Sequence, residues 1–323
     1  MNIVYLFGNG FDINLGMKTR YTDFYKNYTE KSSESSLVKN LKSNIFHNIE
    51  NWSDLELALG KYTSEFQSVS EFDEVYEDIL NNLCDYLDDE SAKYDFSKFK
   101  KDVFLSDLCT PEKFLTEADI HEFSAYKRQW SSNDKLINII NFNYTDSISK
   151  ILENTDSKKH LKVDAYSKYF FKELLHIHGF TSERTILGVN DISQVSNSKF
   201  HNDSDFIEAL IKIESNSRQR HNVDKKCEKI INNANLICIF GCSLGETDKF
   251  WWKLIADNFK RGIKVIIFFR AEEQNQRFGH RPLRIQRMVK NIFWGMSDLS
   301  DEEKETYNKN LYIKINADIF NLF

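Results

Sequence analysis

The chain has 323 residues, of which 41% are hydrophobic and 28% charged, so it can bury a sizeable core as one large domain or two of ordinary size. Its formal net charge of −6 and mean hydropathy of −0.52 argue against a polycation that seeks phosphate and against a membrane protein. Five cysteines without a Cys-x-x-Cys pair, and a start without a basic leader, argue against a disulfide framework, a four-thiolate zinc site and secretion, which leaves the cytoplasm as the expected location.

The first predicted element is a strand, "NIVYLF" at residues 2–7, followed by a glycine-rich turn that opens a helix. Such a turn directs backbone N–H groups and a helix N-terminus toward an anionic phosphate. Gly8 and Gly10 fit the first two positions of the dehydrogenase fingerprint, whereas Ile13 occupies the third. A P-loop is excluded because Met17 stands where lysine is needed. Two interpretations stay open, a phosphate-binding turn and a tight connection without a ligand.

Residues 31–130 are predicted to form a mostly helical insertion, because this segment has almost no glycine or proline. The stretches 51–66 and 72–94 carry apolar residues at three- and four-residue spacing among many acids, which is typical of amphipathic helices. Asn51 or Ser53 is the predicted cap of the first of these helices.

Glu56 in "WSDLELALG" has two interpretations. Trp52 and Leu55 in the same stretch are expected to pack in a core, which predicts that Glu56 faces water. The alternative is that this helix lies over the edge of the sheet and brings the Glu56 carboxylate to a site there.

Further short apolar runs predict four more strands, "LINIINF" (136–142), "ELLHIHG" (173–179), "NLICIFG" (235–241) and "KVIIFF" (264–269). Consecutive apolar positions are typical of strands covered on both faces in a parallel sheet. Helical patterns at 203–214 and 247–262 separate the later strands. This alternation predicts an α/β fold with a doubly wound, mainly parallel sheet, in one discontinuous domain of residues 1–30 and 131–323.

Polar side chains follow the second predicted strand, in the segment "NYTD". Asn143 and Asp146 lie at the carboxyl end of this strand, the edge where open α/β sheets bind ligands. The alternative is that either residue caps the helix that follows.

A histidine pair stands in "LLHIHGF". Within a strand, His176 and His178 would point to the same face, and Gly179 would let the chain turn beside a ligand. No nearby acid or cysteine completes an evident metal ligand set. We expect one histidine of the pair to be structural and the other to be chemical.

The segment "GCSLGETD" follows the next predicted strand. Gly241, Ser243 and Leu244 suit contact with a phosphate or a ribose at the end of a strand. Cys242 is a weak candidate for a nucleophile, because no base to activate it is evident in the sequence.

Four motifs resemble, in the same order, those of the sirtuin family of NAD-binding proteins: Gly8-Asn9-Gly10-Phe11-Asp12 with Gly16, Asn143-Tyr144-Thr145-Asp146, His178-Gly179, and Gly241-Cys242-Ser243-Leu244. The resemblance implies a Rossmann-type core that handles NAD, and sirtuin-like domains in bacterial defence are generally NAD hydrolases. Asp12 replaces the family's usual serine and is expected to bond backbone amides or a ribose hydroxyl. The family's two Cys-x-x-Cys pairs are missing, so neither protein deacylation nor a metal is expected.

A narrower resemblance involves the opening segment "GNGFDINLGMKTRYTDF", which is similar to the N-terminal signature of the AbiH family of phage abortive-infection proteins. The segments "NWSDLE", "FNYTD" and "HIHG" are similar to further parts of that family. The resemblance implies an antiphage protein.

These resemblances lead to the hypothesis that the chain cleaves the nicotinamide–ribose bond of NAD. His178 would act as the general base, Asn143 would orient water and ribose, and Asp146 would support that arrangement. The residues expected to contact the dinucleotide are Gly8, Asn9, Gly10, Phe11, Asp12, Gly16, Gly241, Ser243 and Leu244. NAD is expected as substrate or ligand, without a metal.

Two alternative functions stay open. A sensor would hold NAD, ADP-ribose or a related nucleotide without cleaving it, and would not need His178. A nucleic-acid-binding or nucleic-acid-cleaving protein would use the basic stretches 218–229 and 277–290, against which the acidic net charge counts. The expected trigger is a phage product, a host partner or self-assembly, and a homo-oligomer is one of the open states.

Overall fold

The computed structural model describes residues 1–156, 159–164, 167–218, 222–271 and 280–323. The two basic stretches therefore fall partly outside the described residues, at 219–221 and 277–279. No helix in these described ranges has both the length and the apolar character needed to cross a bilayer.

Seven strands in the described residues form one sheet: β1 (Asn2–Phe7), β2 (Lys135–Asn141), β3 (His160–Asp164), β4 (Ser167–His176), β5 (Leu236–Phe240), β6 (Lys264–Phe269) and β7 (Leu311–Ile315). Their order across the sheet is β3-β4-β2-β1-β5-β6-β7, and β3–β4 is the single antiparallel pair among them. The prediction of an α/β fold with a mainly parallel sheet is confirmed.

The central strand β1 shows why apolar runs form this sheet. Ile3, Tyr5 and Phe7 pack into the apolar cluster on one face, whereas Val4 and Leu6 pack into the cluster on the other face. All five are fully buried. A strand covered on both faces needs apolar side chains at consecutive positions, because neither face of the pleat meets water.

The α-helices of the described residues are α1 (Gly10–Asn14), α2 (Tyr21–Tyr28), α3 (Ser36–His47), α4 (Leu55–Tyr62), α5 (Val69–Ser91), α6 (Lys101–Cys109), α7 (Glu117–Lys127), α8 (Ser147–Ile151), α9 (Ser204–Leu210), α10 (Lys212–Arg218), α11 (Val223–Asn232), α12 (Lys249–Asp257), α13 (His280–Gly295) and α14 (Asp301–Tyr307). Short 3₁₀ turns join several of them. The predicted helix at 203–214 is two helices, because the chain is extended at Ile211, between α9 and α10.

The predicted helical segment 31–130 divides between two apolar clusters. Leu41 and Phe72 belong to a cluster of helices α2–α5 with residues 187–211, whereas Phe104 packs against the sheet. The predicted caps of α4 were wrong: the side chain of Asp54 accepts the N–H of Leu57 at 3.1 Å. The domain boundaries stay a prediction.

Strand β4 differs from its predicted range of 173–179. It begins at Ser167 and ends at His176, so His178 lies beyond the strand. The backbone N–H of Ile177 still bonds the carbonyl of Asn141 at 3.0 Å, and Gly179 then turns the chain with φ +71°. The two histidines are therefore not paired on one strand face, contrary to the prediction.

Candidate functional site

A cavity of about 500 Å³ opens at the carboxyl ends of the neighbouring strands β1, β2 and β5. Its wall includes residues 8–10 after β1, 142–145 after β2 and 241–243 after β5. The chain order reverses at this point of the sheet, since β2 lies on one side of β1 and β5 on the other. Open α/β sheets bind ligands in the crevice at such a reversal.

The opening glycines allow two turns of this cavity wall to touch. The N–H of Gly10 donates to the carbonyl of Gly241 at 2.8 Å. A Cβ on Gly10 would lie 2.4 Å from the Cα of Gly241, and Gly241 itself has φ +72°. Any side chain at these positions would force the two backbones apart, which explains why so glycine-poor a chain concentrates glycine here.

Three backbone N–H groups of the predicted phosphate-binding turn already have partners. The N–H of Gly8 donates to Phe240 O at 2.9 Å, and the N–H of Phe11 donates to Gly8 O at 2.9 Å. The third is the Gly10 N–H bonded to the carbonyl of Gly241. These groups would have to change partners to bind a phosphate, so phosphate binding by this backbone stays a prediction.

Asp12 is fully buried beneath this turn and also lines the cavity. Its carboxylate accepts hydrogen bonds from the Thr145 and Ser147 hydroxyls, each at 2.5 Å. Burial raises the pKa of Asp12 to about 6, against the opposing effect of these hydrogen bonds. Asp12 thus joins α1 to the loop after β2 and to the start of α8, through side-chain hydroxyls rather than the predicted backbone amides.

Asn143 presents a buried carboxamide at the cavity wall. It is 4% exposed, and among the described residues neither its Oδ1 nor its Nδ2 forms a hydrogen bond of good geometry, although the side chain lies close enough to Asp12 to lower the pKa of that carboxylate. Its backbone N–H donates to Asn141 Oδ1 at 3.2 Å, which fixes the loop. Buried polar groups nearly always have partners, so an unpaired carboxamide beside a cavity indicates a place for a ligand or water.

His178 presents the second unpaired group at this wall. Its Nε2 lies 3.0 Å from Asp248 Oδ1, while its buried Nδ1 has no partner among the described residues. Burial and the Lys212 ammonium lower the pKa of His178, against the raising effect of Asp248. We assign the proton to Nε2, which donates to the carboxylate, so that Nδ1 carries the lone pair.

His176 is held differently. Its Nδ1 lies 3.3 Å from Asn141 Nδ2 and its Nε2 lies 3.0 Å from Ser149 Oγ, so both ring nitrogens are engaged. Burial lowers the pKa of His176 to about 4. It is not among the residues lining the cavity. The geometry therefore favours His178 as the chemical member of the pair.

A buried ionic network lies behind His178. Glu56 Oε2 accepts from Lys212 Nζ at 2.7 Å, and Lys212 Nζ also donates to Asp248 Oδ1 at 2.9 Å. The Tyr144 hydroxyl donates to Glu56 Oε1 at 2.5 Å. Burial raises the pKa of Glu56 to about 7, with Lys212 opposing the rise.

The prediction that Glu56 faces water was wrong. The residue is 6% exposed and lines the cavity, because Lys212 and Tyr144 supply partners that let a carboxylate remain inside. Trp52 and Leu55 are buried in the helical cluster, as expected.

Eight of the predicted site residues line the cavity: Gly8, Asn9, Gly10, Asp12, Asn143, His178, Gly241 and Ser243. Asp146, Phe11, Gly16 and Leu244 are not part of its lining. Asp146 is half-exposed and pairs with Lys150 at 2.9 Å at the start of α8. The Phe11 ring packs against Phe7, 5.0 Å away between centroids, so its side chain belongs to the core.

Gly16 and Leu244 have structural roles. Gly16 adopts φ +82°, and its carbonyl accepts the Tyr94 hydroxyl at 2.6 Å. Leu244 is buried in the apolar cluster beside α12, with φ +54°.

The cavity also contains residues that sequence reasoning gave no role, notably Asp248, Arg20 and Arg270. Both arginines are exposed, and Arg270 donates to Asn14 Oδ1 at 3.1 Å. Cys242 lines the same cavity, but burial raises its pKa well above the ordinary value, so the thiol stays protonated. In the described ranges no group of three or more His, Cys, Asp or Glu side chains could hold a metal ion.

The fold and the site define an α/β protein with a ligand-sized cavity and a buried histidine–carboxylate pair at a reversal of strand order. Residues 4–269 match the family model described as Bacteriophage abortive infection AbiH. The chain belongs to this AbiH family, which supports a role in antiphage abortive infection. A search of curated proteins found no match.

Proposed function

We propose that this AbiH protein hydrolyses the nicotinamide–ribose bond of NAD, in a sirtuin-like core, as its part in abortive infection. The observation that carries the proposal is the pair of buried, unpartnered polar groups on one cavity wall, His178 Nδ1 and the Asn143 carboxamide. The parallel strands support it, because their order β4-β2-β1-β5-β6-β7 is that of dinucleotide-binding folds.

The proposed base is His178 Nδ1. Hydrolysis consumes one water and releases nicotinamide, ADP-ribose and one proton. Nδ1 accepts that proton as water adds to the ribose carbon, and Asp248 keeps Nε2 protonated and stabilises the imidazolium that forms. A positioned base of this kind contributes about 10²–10⁴-fold in rate.

The proposed orienting group is the Asn143 carboxamide. Its Oδ1 accepts and its Nδ2 donates, so it can hold a water or a ribose hydroxyl in one orientation. Asp146 lies outside the cavity lining and is bound to Lys150, so we leave it out of the proposed catalytic set.

The charged groups in the cavity suit both the ribose and the phosphates of NAD. The bond breaks with positive charge developing on the sugar, as in glycoside hydrolysis. The buried Glu56 and the partly exposed Asp248 provide two carboxylates around the Lys212 ammonium, which favours that charge. Arg20 and Arg270, both exposed, provide cationic groups for the phosphates.

The experiment compares NAD cleavage by wild type, His178→Gln and His176→Gln, with nicotinamide followed by chromatography. We expect His178→Gln to lose about 10²–10⁴-fold, because the base is gone. His176→Gln is the matched control, since it removes a partly buried histidine two residues away and leaves Nδ1 of His178 in place. Equal turnover by wild type and folded His178→Gln would refute the assigned base.

A further inference from the structure

The charge network behind His178 is continuous from the helical segment to the cavity. Each contact is within hydrogen-bond distance: Glu56 to Lys212 at 2.7 Å, Lys212 to Asp248 at 2.9 Å, and Asp248 to His178 at 3.0 Å. Lys212 is 5% exposed in its side chain. An ammonium this deep is stable only with partners, and the two carboxylates provide them.

Asp248 accepts hydrogen bonds from the Lys212 ammonium and from the neutral His178 ring through one oxygen. Its Oδ1 accepts from Lys212 Nζ and from His178 Nε2. Although burial opposes ionisation, Lys212 and His178 hold the pKa of Asp248 well below its ordinary value. The carboxylate therefore stays charged and fixed in place, with its accepting oxygen aimed at Nε2.

We infer that Lys212 and Glu56 are positioning residues, which hold Asp248 against His178 and keep the imidazole neutral with Nδ1 as its unprotonated nitrogen. The inference rests on the proposed role of His178, and it adds which residues determine the protonation state of that base. Neither residue needs to touch the substrate for this role.

The physical reason is the sign of each charge. The charged groups that bear on His178 are Asp248, Lys212 and Arg184, with Glu56 behind Lys212. Lys212 and Arg184 disfavour a proton on the imidazole, and Asp248 favours it. Without Lys212, Asp248 would face His178 alone, and the pair would become carboxylate and imidazolium, with no lone pair left on Nδ1.

The first test reads the imidazole directly by ¹⁵N NMR, with the His178 signals assigned by their loss in His178→Gln. In wild type at neutral pH we expect a neutral ring protonated at Nε2. In Lys212→Met we expect the midpoint of His178 titration to rise by about 1–3 pH units. Lys264→Met is the matched control, because Lys264 is also buried but bonds Tyr312 at 2.6 Å, and it should leave His178 unchanged.

A double variant guards against misfolding. Lys212→Met with Glu56→Gln removes one positive and one negative charge. No carboxylate is then left at position 56 without its cation, and Asp248 alone of the two loses the Lys212 ammonium. We expect the same upward shift of the His178 titration as in Lys212→Met. An unchanged tautomer and titration midpoint in either folded variant would overturn the inference.

The second readout is the pH dependence of NAD cleavage. In Lys212→Met the acidic limb of the pH–rate profile should shift to higher pH together with the midpoint of His178 titration. The rate at high pH should stay within about tenfold of wild type. Absence of cleavage by wild type would refute the proposed function alone, since the NMR test needs no turnover. A rate lost equally at every pH, without movement of the limb, would contradict the positioning role.

Discussion

Replacing Asn143 by leucine is expected to stabilise the fold while removing the proposed activity. The Asn143 side chain is buried, and neither polar atom of its carboxamide has a partner among the described residues. Leucine has the same branched shape and the same number of heavy atoms, and the adjoining cavity of about 500 Å³ gives room for its bulkier methyl groups. The substitution therefore removes two polar atoms that lack well-formed hydrogen bonds at little steric cost, and it also removes a polar neighbour of Asp12.

The magnitude follows from the cost of unpaired polar groups. A buried donor or acceptor without a partner costs about 1–3 kcal/mol, and water in the cavity recovers part of this. We expect Asn143→Leu to raise the free energy of unfolding by about 1–2 kcal/mol. Every kcal/mol corresponds to about 2 °C in melting temperature for a chain of this size.

The matched control is Asn141→Leu, two residues earlier in the same segment. Asn141 is fully buried, and its carboxamide accepts from the Asn143 N–H and donates to Thr145 O at 3.4 Å. Leucine there leaves these backbone groups unpaired, so we expect a loss of about 1–3 kcal/mol. The two variants should thus differ in sign.

The assay is urea denaturation followed by tryptophan fluorescence, with nicotinamide release measured on the same preparations. The expected result is a more stable and inactive Asn143→Leu. A loss of stability as large as that of Asn141→Leu would contradict the expected gain, because it would mean that the Asn143 carboxamide supports the fold rather than serving a ligand.

Three further predictions concern the glycine contact, Asp12 and Asp248. Gly10→Ala should lower the free energy of unfolding by about 3 kcal/mol or more in urea denaturation, since its Cβ would lie 2.4 Å from a backbone carbon. Gly295→Ala is the control, because a Cβ there would have no atom within 4 Å, and it should change the free energy of unfolding by less than about 1 kcal/mol. The pKa of Asp12, about 6 against an ordinary 3.8, means that the folded state holds this proton more tightly, so the free energy of unfolding falls by about 2 kcal/mol as pH rises from 4 to 6. This fall should be absent in Asp12→Asn, and an equal fall in both proteins would contradict the raised pKa. Asp248→Asn should lower nicotinamide release by about 10²–10⁴-fold through the wrong imidazole tautomer, and a wild-type rate would contradict the assigned proton.

The strands were predictable where their apolar runs are continuous. Residues 2–7 and 264–269 have the same bounds in the sequence prediction and in the structure. β3, "HLKVD", was missed because an antiparallel edge strand can be mostly polar. β7 was missed as well, although "LYIKI" has a strand pattern, because it follows the helices of the last segment without a glycine signal.

Part of the site was predictable from topology. Asn143 and His178 each lie two residues beyond the end of a strand, β2 and β4, and the carboxyl ends of parallel strands meet at one edge of a sheet. Both residues line the cavity. The position of strand ends in a parallel sheet predicts which side chains lie near one another, but it does not predict their hydrogen-bond partners.

The ionic network was beyond local reasoning. Lys212 pairs with Glu56 across 156 residues and with Asp248 across 36. No local sequence pattern shows which buried lysine will pair with which carboxylate. A lysine within the apolar run "EALIKIE" is the one signal that could have marked Lys212, because burial of an ammonium requires a carboxylate nearby.

The most direct test of the proposed hydrolysis is incubation of the wild-type protein with NAD in H₂¹⁸O, with the products identified by mass spectrometry. We expect nicotinamide and ADP-ribose in equal amounts, with one ¹⁸O in the ADP-ribose. Saturable NAD binding in calorimetry without any nicotinamide release, whether or not an extract of phage-infected cells is added, would contradict hydrolysis and leave the site as a nucleotide sensor.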